Sequence, residues 1–251
     1  MVELLNHYLE KYEKDINSLA HVGAHLGQEV EYYQLFELDF IYLFEPLEDI
    51  FLKLYKSNKK YKNIEFFNFA LGSKNFTTDF NISKENEGQS SSVLEPHLHL
   101  RDKKEISFET SIKKVSVKRF DSLNLEPTDF INIDAQGYEL EVLKGFGEML
   151  NKTKAICCEV NRDFTYKDNA LVKEIDSYLD NFSFIRVNTK WGKYNETYGL
   201  GVYLKRNLVS ETMFFYYLLR NKLHYFKFYF FLRNFTNFKR LKNYVKKLVK
   251  A

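Results

Sequence analysis

Cysteine is scarce in this chain of 251 residues: only Cys157 and Cys158 occur, and they are neighbours. Adjacent residues in a strand face opposite sides of a sheet, so a bridge between these two is not expected. Without a disulfide framework the chain reads as made for a reducing compartment, and a cytoplasmic location is expected. No run of eighteen apolar residues occurs, so no segment is expected to cross a bilayer as a helix. Residues 1–15 are charged and lack a long apolar stretch, and do not read as a signal peptide. No internal repeat is found. Also absent are the Gly-rich loop ending in Lys-Ser/Thr and the dinucleotide spacing G-x-G-x-x-G, which argues against nucleotide hydrolysis and against NAD. What remains is an ordinary globular composition, 45% hydrophobic and 28% charged, long enough to bury a core unaided.

The net charge of +3 conceals a split. Residues 208–251 carry ten Lys/Arg against one Asp/Glu, whereas residues 1–207 carry 27 against 33. The same 44 residues hold 13 of the 42 Phe and Tyr. This shift marks the expected boundary: a body at 1–207 and a basic aromatic extension at 208–251. Its apolar runs are too short to span, and Lys and Arg interrupt the rings, as in amphipathic helices at a membrane surface. Peripheral attachment at the inner face of a membrane, packing on the body, and packing on a second copy in a homo-oligomer stay open. Nucleic acid is disfavoured, because no nucleic-acid module accompanies the rings.

Along the body, residues 3–13 have helical periodicity. Ile16–Val22 reads as a buried strand, and Gly23-Ala24-His25-Leu26-Gly27 leads into a helix over 28–38. Strands are expected at Phe40–Phe44 and Ile64–Leu71, with a helix from Leu47 to about Ser57 between them. From Phe76 to Val117 the alternation breaks. Two strand-like segments there flank a polar stretch, Glu85–His99, read as an insertion with a mobile loop. Strands at Phe130–Ile133 and Ala155–Val160 then alternate with helices at Tyr138–Leu150 and Leu171–Leu179. Phe182–Val187 and Gly201–Leu204 close the chain order as strands without a helix between them. The pattern predicts an α/β fold: a mostly parallel sheet covered on both faces, with an antiparallel closing pair.

Three constellations carry chemistry. Gly23 and Gly27 permit a tight turn and close approach of a ligand, and the helix after them offers N–H groups to an anion. Glu45 ends the second strand 22 residues after Gly23, where a carboxylate can accept both hydroxyls of a ribose. Together these favour an adenosine-containing ligand. Asp134 follows an apolar strand, at the edge where α/β sheets bind ligands, and Glu159 lies near the end of the next strand.

The segments VGAHLGQE, FEP, ALG, the cluster Ser90-Ser91-Ser92, VKRFDSL and INIDAQGYELEVLKG, in this order, resemble the FkbM family of methyltransferases. The resemblance runs from about Ile16 to Leu204. It implies a Rossmann-like class I methyltransferase fold with a seven-stranded sheet and S-adenosylmethionine as cofactor. It also implies O-methylation of a hydroxyl on a sugar, glycan or related natural product, so a sugar, glycan or glycolipid acceptor is expected. Gly23, Ala24 and Gly27 would line the methionine end, Glu45 would hold the ribose, and Ala70 and Leu71 would border the adenine. Asp134 would sit between cofactor and acceptor. One position departs: the family opens its glycine loop with an acidic residue, where this chain has His21. His21 can hydrogen-bond near the amino-acid end but cannot be assumed to accept from an ammonium. A binding module without turnover and an RNA methyltransferase are the alternatives.

On physical grounds Asp134, Glu139 and Glu159 are candidates for the base that takes the acceptor's proton. No metal is assigned. His25, His97 and His99 offer nitrogen ligands, but a His-x-His in a polar loop is more often only that.

Overall fold

The computed structural model describes residues 15–98, 105–109, 113–192 and 197–224, together with residues 7, 10 and 100. Most of the expected helix at 3–13, His99 and the extension beyond His224 lie outside the described residues.

Seven strands form the main sheet. In chain order these are β1 (Ser18–Val22), β2 (Phe40–Phe44), β3 (Ile64–Phe67), β7 (Phe130–Ile133), β8 (Ala155–Asn161), β9 (Phe184–Trp191) and β10 (Tyr198–Lys205). They lie in the order β3-β2-β1-β7-β8-β10-β9, parallel except for β10, which runs antiparallel to both of its neighbours. This is the mostly parallel sheet with an antiparallel closing strand that the residue pattern predicts. The order reverses between β1 and β7, so the carboxyl ends of those strands open a crevice.

Alternation along the strands divides the core. Leu19, Ile41, Leu43, Phe130 and Cys157 belong to one buried cluster, and Ala20, Tyr42, Phe44, Ile131 and Cys158 to the other. The two cysteines therefore take opposite faces, both free and buried. On the first face sit α1 (Val30–Tyr33) and α2 (Glu48–Asn58), which contribute Val30, Tyr33 and Leu54. On the second sit α3 (Glu139–Phe146) and α4 (Val172–Asp180), which contribute Val142, Leu143, Phe146, Ile175 and Leu179. Burying one such side chain stabilises the fold by about 1.5–3 kcal/mol.

A second sheet fills the insertion: β4 (Ala70–Leu71), β5 (Phe76–Phe80) and β6 (Lys113–Lys118) in the order β4-β6-β5. β5 and β6 are the antiparallel strands expected between 76 and 117.

Three expectations are corrected. The helix expected over 28–38 is only Val30–Tyr33. It tightens into i to i+3 turns, with Leu35 N bonded to Tyr32 O and Phe36 N to Tyr33 O. Val30, Tyr32, Tyr33 and Phe36 are β-branched or aromatic and lose side-chain freedom in a helix, which offers little to extend it. The strand expected over 64–71 breaks at Asn68, whose Nδ2 donates to Glu45 O and Pro46 O. Its first part pairs with β2 and its last two residues join the second sheet.

The expected boundary near Asn207 falls within packed structure. Helix α5 (Glu211–His224) lies against the first face through Phe214, Tyr217 and Leu218. The ladder between β9 and β10 shifts register between Val202 and Tyr203, opposite Arg186–Asn188. Beside that bulge, Arg220 donates to Val187 O at 3.0 Å and to Arg186 O at 2.9 Å, and Asn221 donates to Arg186 O at 2.8 Å. A bulge takes backbone groups out of the ladder, and the helix side chains satisfy them.

Candidate functional site

The carboxyl ends of β1, β2, β7 and β8 surround a cavity of about 390 Å³, within the range of small-molecule sites. His21, Gly23, Ala24, Glu45, Ala70, Leu71, Asp134 and Glu159 all line it. Gly27 and Glu139 do not.

The β1 turn owes its shape to the fold itself. Gly23 has φ +79°, and a Cβ there would stand 2.0 Å from the carbonyl oxygen of Asp134. Gly23 N and Ala24 N both donate to Phe44 O, at 3.0 and 2.9 Å. Those two N–H groups bind strand β2. Gly27, at φ +77°, is pressed against α2: a Cβ would meet Leu54 Cδ1 at 2.7 Å and Asn58 Nδ2 at 2.8 Å. Its small size serves packing, outside the cavity lining.

Glu45 is buried at the end of β2. Its Oε1 accepts from Leu47 N at 2.8 Å and its Oε2 from His25 N at 3.0 Å. Burial pushes its carboxyl up to about 7, against the pull of these two N–H groups, and the charge of Asp134 adds to the rise. Each oxygen spends one lone pair on the backbone and keeps another. Leu47, Phe69, Ala70, Leu71 and Phe80 supply an apolar wall beside it. A carboxylate with two half-used oxygens next to an apolar slot matches a ribose diol carrying a flat base, so these residues fit the adenosine half of S-adenosylmethionine.

Across the cavity, β7 and β8 bring two carboxylates together. Ile133 pairs with Cys158, so Asp134 and Glu159 follow side by side. Asp134 N donates to Val22 O at 2.9 Å, and Asp134 Oδ1 accepts from Gln136 Nε2 at 2.5 Å. Glu159 Oε1 accepts from Asn161 Nδ2 at 3.3 Å. Glu139 has a different place from the one expected of a base. It is fully buried, and its Oε1 accepts from Ala135 N at 3.2 Å and Gly137 N at 3.0 Å. Burial raises its pKa. It braces the 134–137 turn, in which Gln136 holds φ +49°.

The polar stretch after Ile82 is tied down, contrary to the mobile loop expected. Ser83, Asn86, Ser90 and Ser91 bond one another: Ser83 Oγ to Asn86 Oδ1 at 2.6 Å, Asn86 Nδ2 to Ser90 Oγ at 2.8 Å, Ser83 N to Ser91 Oγ at 3.1 Å. Ser92 Oγ then donates to Gln136 O at 2.8 Å. The buried Tyr166 hydroxyl lies 2.8 Å from Ser90 O and 3.1 Å from Gln136 Oε1. On the opposite side His25 Nε2 meets Glu87 O at 2.9 Å. Gln89, Ser90 and Ser91 thereby become cavity wall. The sequence signalled the serines as a cluster, but gave no sign of Tyr166 or Gln136 as their anchors.

Among the described residues no three His, Cys, Asp or Glu side chains are grouped to hold a metal ion. His97 Nδ1 meets Phe164 O at 3.0 Å. Among the described residues no helix is long and apolar enough to cross a membrane.

Comparison with known proteins matches residues 21–186 to the methyltransferase FkbM domain family. No curated protein matches the chain. Among solved structures, a methyltransferase FkbM from Methylobacillus flagellatus KT aligns at 12% identity and a TM-score of 0.48, covering 76% of this chain and 44% of that one. This chain therefore spans less than half the length of that protein. The magnesium protoporphyrin IX methyltransferase of Synechocystis PCC 6803, solved with bound SAM, aligns at 8% identity and a TM-score of 0.46, covering 81% and 77%. M. capricolum TrmK, in complex with S-adenosyl-homocysteine, aligns at 13% identity and a TM-score of 0.44, covering 97% and 96%.

Proposed function

This chain belongs to the FkbM methyltransferase family, and on that premise we propose that it transfers a methyl group from S-adenosylmethionine to a hydroxyl of a sugar, in a glycan or glycolipid precursor. The observation that carries the reading is the division of one cavity into two walls. Glu45 and the apolar slot of Phe69, Ala70 and Leu71 form the first. The second holds Asp134 and Glu159 among Gln89, Ser90, Ser91, Gln136 and Tyr198.

The cofactor supplies an electrophilic methyl group on a sulfonium when bound. The chain's own residues do the rest. Glu45 holds the ribose hydroxyls once its carboxylate is ionised. The hydroxyls and amides of the second wall suit an acceptor that carries several hydroxyls of its own. An alcohol oxygen must shed its proton as it becomes the nucleophile, and Asp134 is the carboxylate placed to take it. Gln136 donates to Asp134 Oδ1 and so fixes the direction of the carboxylate. Glu159 follows the neighbouring strand and lines the same cavity. Ser90 and Ser91 form part of that wall, and Ser92 and Tyr166 anchor it to Gln136 and Ser90, which supports a fixed alignment of the reacting atoms.

The test is transfer of labelled methyl to simple sugars, lipid-linked glycans and RNA, with Asp134→Asn in parallel. Label is expected in a sugar-bearing acceptor, with turnover falling about 100-fold or more in Asp134→Asn and affinity for S-adenosylhomocysteine little changed. Label in RNA alone would overturn the sugar reading, and equal turnover of the two proteins would remove Asp134 from the role of base.

A further inference from the structure

We propose that Glu29 and His21 together hold the amino-acid end of the cofactor, Glu29 taking the ammonium and the His21 ring donating to the carboxylate. The assignment rests on the reading that this cavity takes S-adenosylmethionine. That molecule ends in an ammonium and a carboxylate on one carbon, so a matching site needs an acceptor and a donor close together.

His21 can supply only the donor. It is buried at the end of β1, and its ring packs edge-on against Tyr33 with centroids 5.8 Å apart. Asn132 Nδ2 donates to the Tyr33 hydroxyl at 3.0 Å, and that hydroxyl lies 3.2 Å from His21 Nδ1. With Asn132 as its donor, the hydroxyl gives its own proton to Nδ1. The proton of the ring is then on Nε2, and His21 lines the cavity. Burial lowers the His21 pKa, outweighing the opposite pull of Glu29, so the ring is neutral near pH 7. A neutral imidazole with Nδ1 engaged donates from Nε2 and has no lone pair left for an ammonium.

Glu29 can supply the acceptor. It lines the same cavity, beside Gln28, and its charge is felt at both His21 and Tyr33. Among the described residues its carboxylate makes no hydrogen bond and no ion pair, and it does not cap α1. The other acids of the cavity are engaged elsewhere. Glu45 holds His25 N and Leu47 N, while Asp134 and Glu159 stand at β7 and β8. The negative charge that an acidic residue would place at position 21 is thus carried by the residue eight positions later, where the chain turns into α1.

Two ligands separate this assignment from the reading it rests on. S-adenosylhomocysteine has the amino-acid end, and methylthioadenosine keeps the adenosine and the thioether without it. Calorimetry on the full chain and on Glu29→Gln should show S-adenosylhomocysteine weakened about tenfold or more. Methylthioadenosine should bind both proteins within about twofold, and thermal melting should change little, because among the described residues the Glu29 carboxylate bonds no other group. Glu29→Gln binding S-adenosylhomocysteine as the unaltered chain does, or losing both ligands equally, would overturn the assignment alone. An unaltered chain that binds neither ligand would overturn the cofactor reading, and this assignment with it.

Discussion

The two walls of the cavity are built by different means. On the β1–β2 side the pieces are close in sequence: His25 N and Leu47 N reach Glu45 across 20 and 2 residues. Backbone geometry does the positioning there, with Gly23 pressed on the strand beside it. On the β7–β8 side the wall is held by side chains from distant segments: Ser92 reaches Gln136 across 44 residues, and Tyr166 reaches Ser90 across 76. The first wall should fail through strain and the second through loss of single hydrogen bonds.

Gly23→Ala should show the largest effect. Its φ of +79° and the 2.0 Å approach to Asp134 O leave no room for a methyl group, since backbone cannot swing aside. A loss of about 3 kcal/mol or more in urea unfolding is expected, combining backbone strain with overpacking. Gly27→Ala meets side-chain ends that can shift, and should cost less than Gly23→Ala. If the two variants unfold at the same urea concentration, the first wall is not set by its backbone.

Glu45→Gln should come next. Loss of the charged acceptor should weaken S-adenosylhomocysteine about tenfold near pH 8, measured by calorimetry. The pH dependence gives a sharper test. The folded-state pKa of Glu45 is about 7 against 4.5 unfolded. A raised pKa means that the protonated form suits the fold. Its contribution to stability is full below about pH 4.5 and is lost as pH rises through about 7, by up to about 3 kcal/mol. Ligand affinity should run the other way, rising about tenfold from about pH 6 to pH 8 as the carboxylate ionises. The affinity slope should vanish in Glu45→Gln, and the stability slope should shrink to what the buried Glu139 carboxyl, also raised, contributes.

Ser92→Ala should show the smallest effect. It removes the bond from Ser92 Oγ to Gln136 O and the bond that Oγ accepts from Leu94 N, a loss of about 1–2 kcal/mol. Amide exchange over 83–92 should quicken and KM for the acceptor should rise, with affinity for S-adenosylhomocysteine held within about twofold. Unchanged exchange would show that the other bonds of the stretch, Tyr166 to Ser90 O among them, suffice to hold it.

The first wall was also the part legible in the sequence. Glu45 could be placed by counting from Gly23, because a strand, a short turn and the next strand in a parallel sheet fix the distance between their ends. Asp134 and Glu159 were legible for the same reason, as acids at the ends of apolar strands. Glu139 lies outside that logic: it is the first residue of α3, its carboxylate turns back into the loop before it, and two backbone N–H groups claim it. Glu29 went unremarked because an acid beside a glycine loop has no periodicity to mark it.

Residue order alone was enough for the α/β alternation, the strand ends that form the crevice, the opposite faces of Cys157 and Cys158, and the family. These follow from local rules: period two in strands, glycine where φ is positive, and apolar runs where both faces of a sheet are covered. That residues within 86–93 form a cavity wall came from the tertiary fold. The same holds for Tyr33, which links His21 to Asn132, and for the first turns of the basic extension, which belong to the body. Charge and ring content marked a boundary near Asn207, yet Arg220 and Asn221 are spent on carbonyls beside a bulge in β9. A polar side chain's partner is set by which backbone groups the rest of the fold leaves unpaired. Those groups come from strands far along the chain, and no local pattern records them.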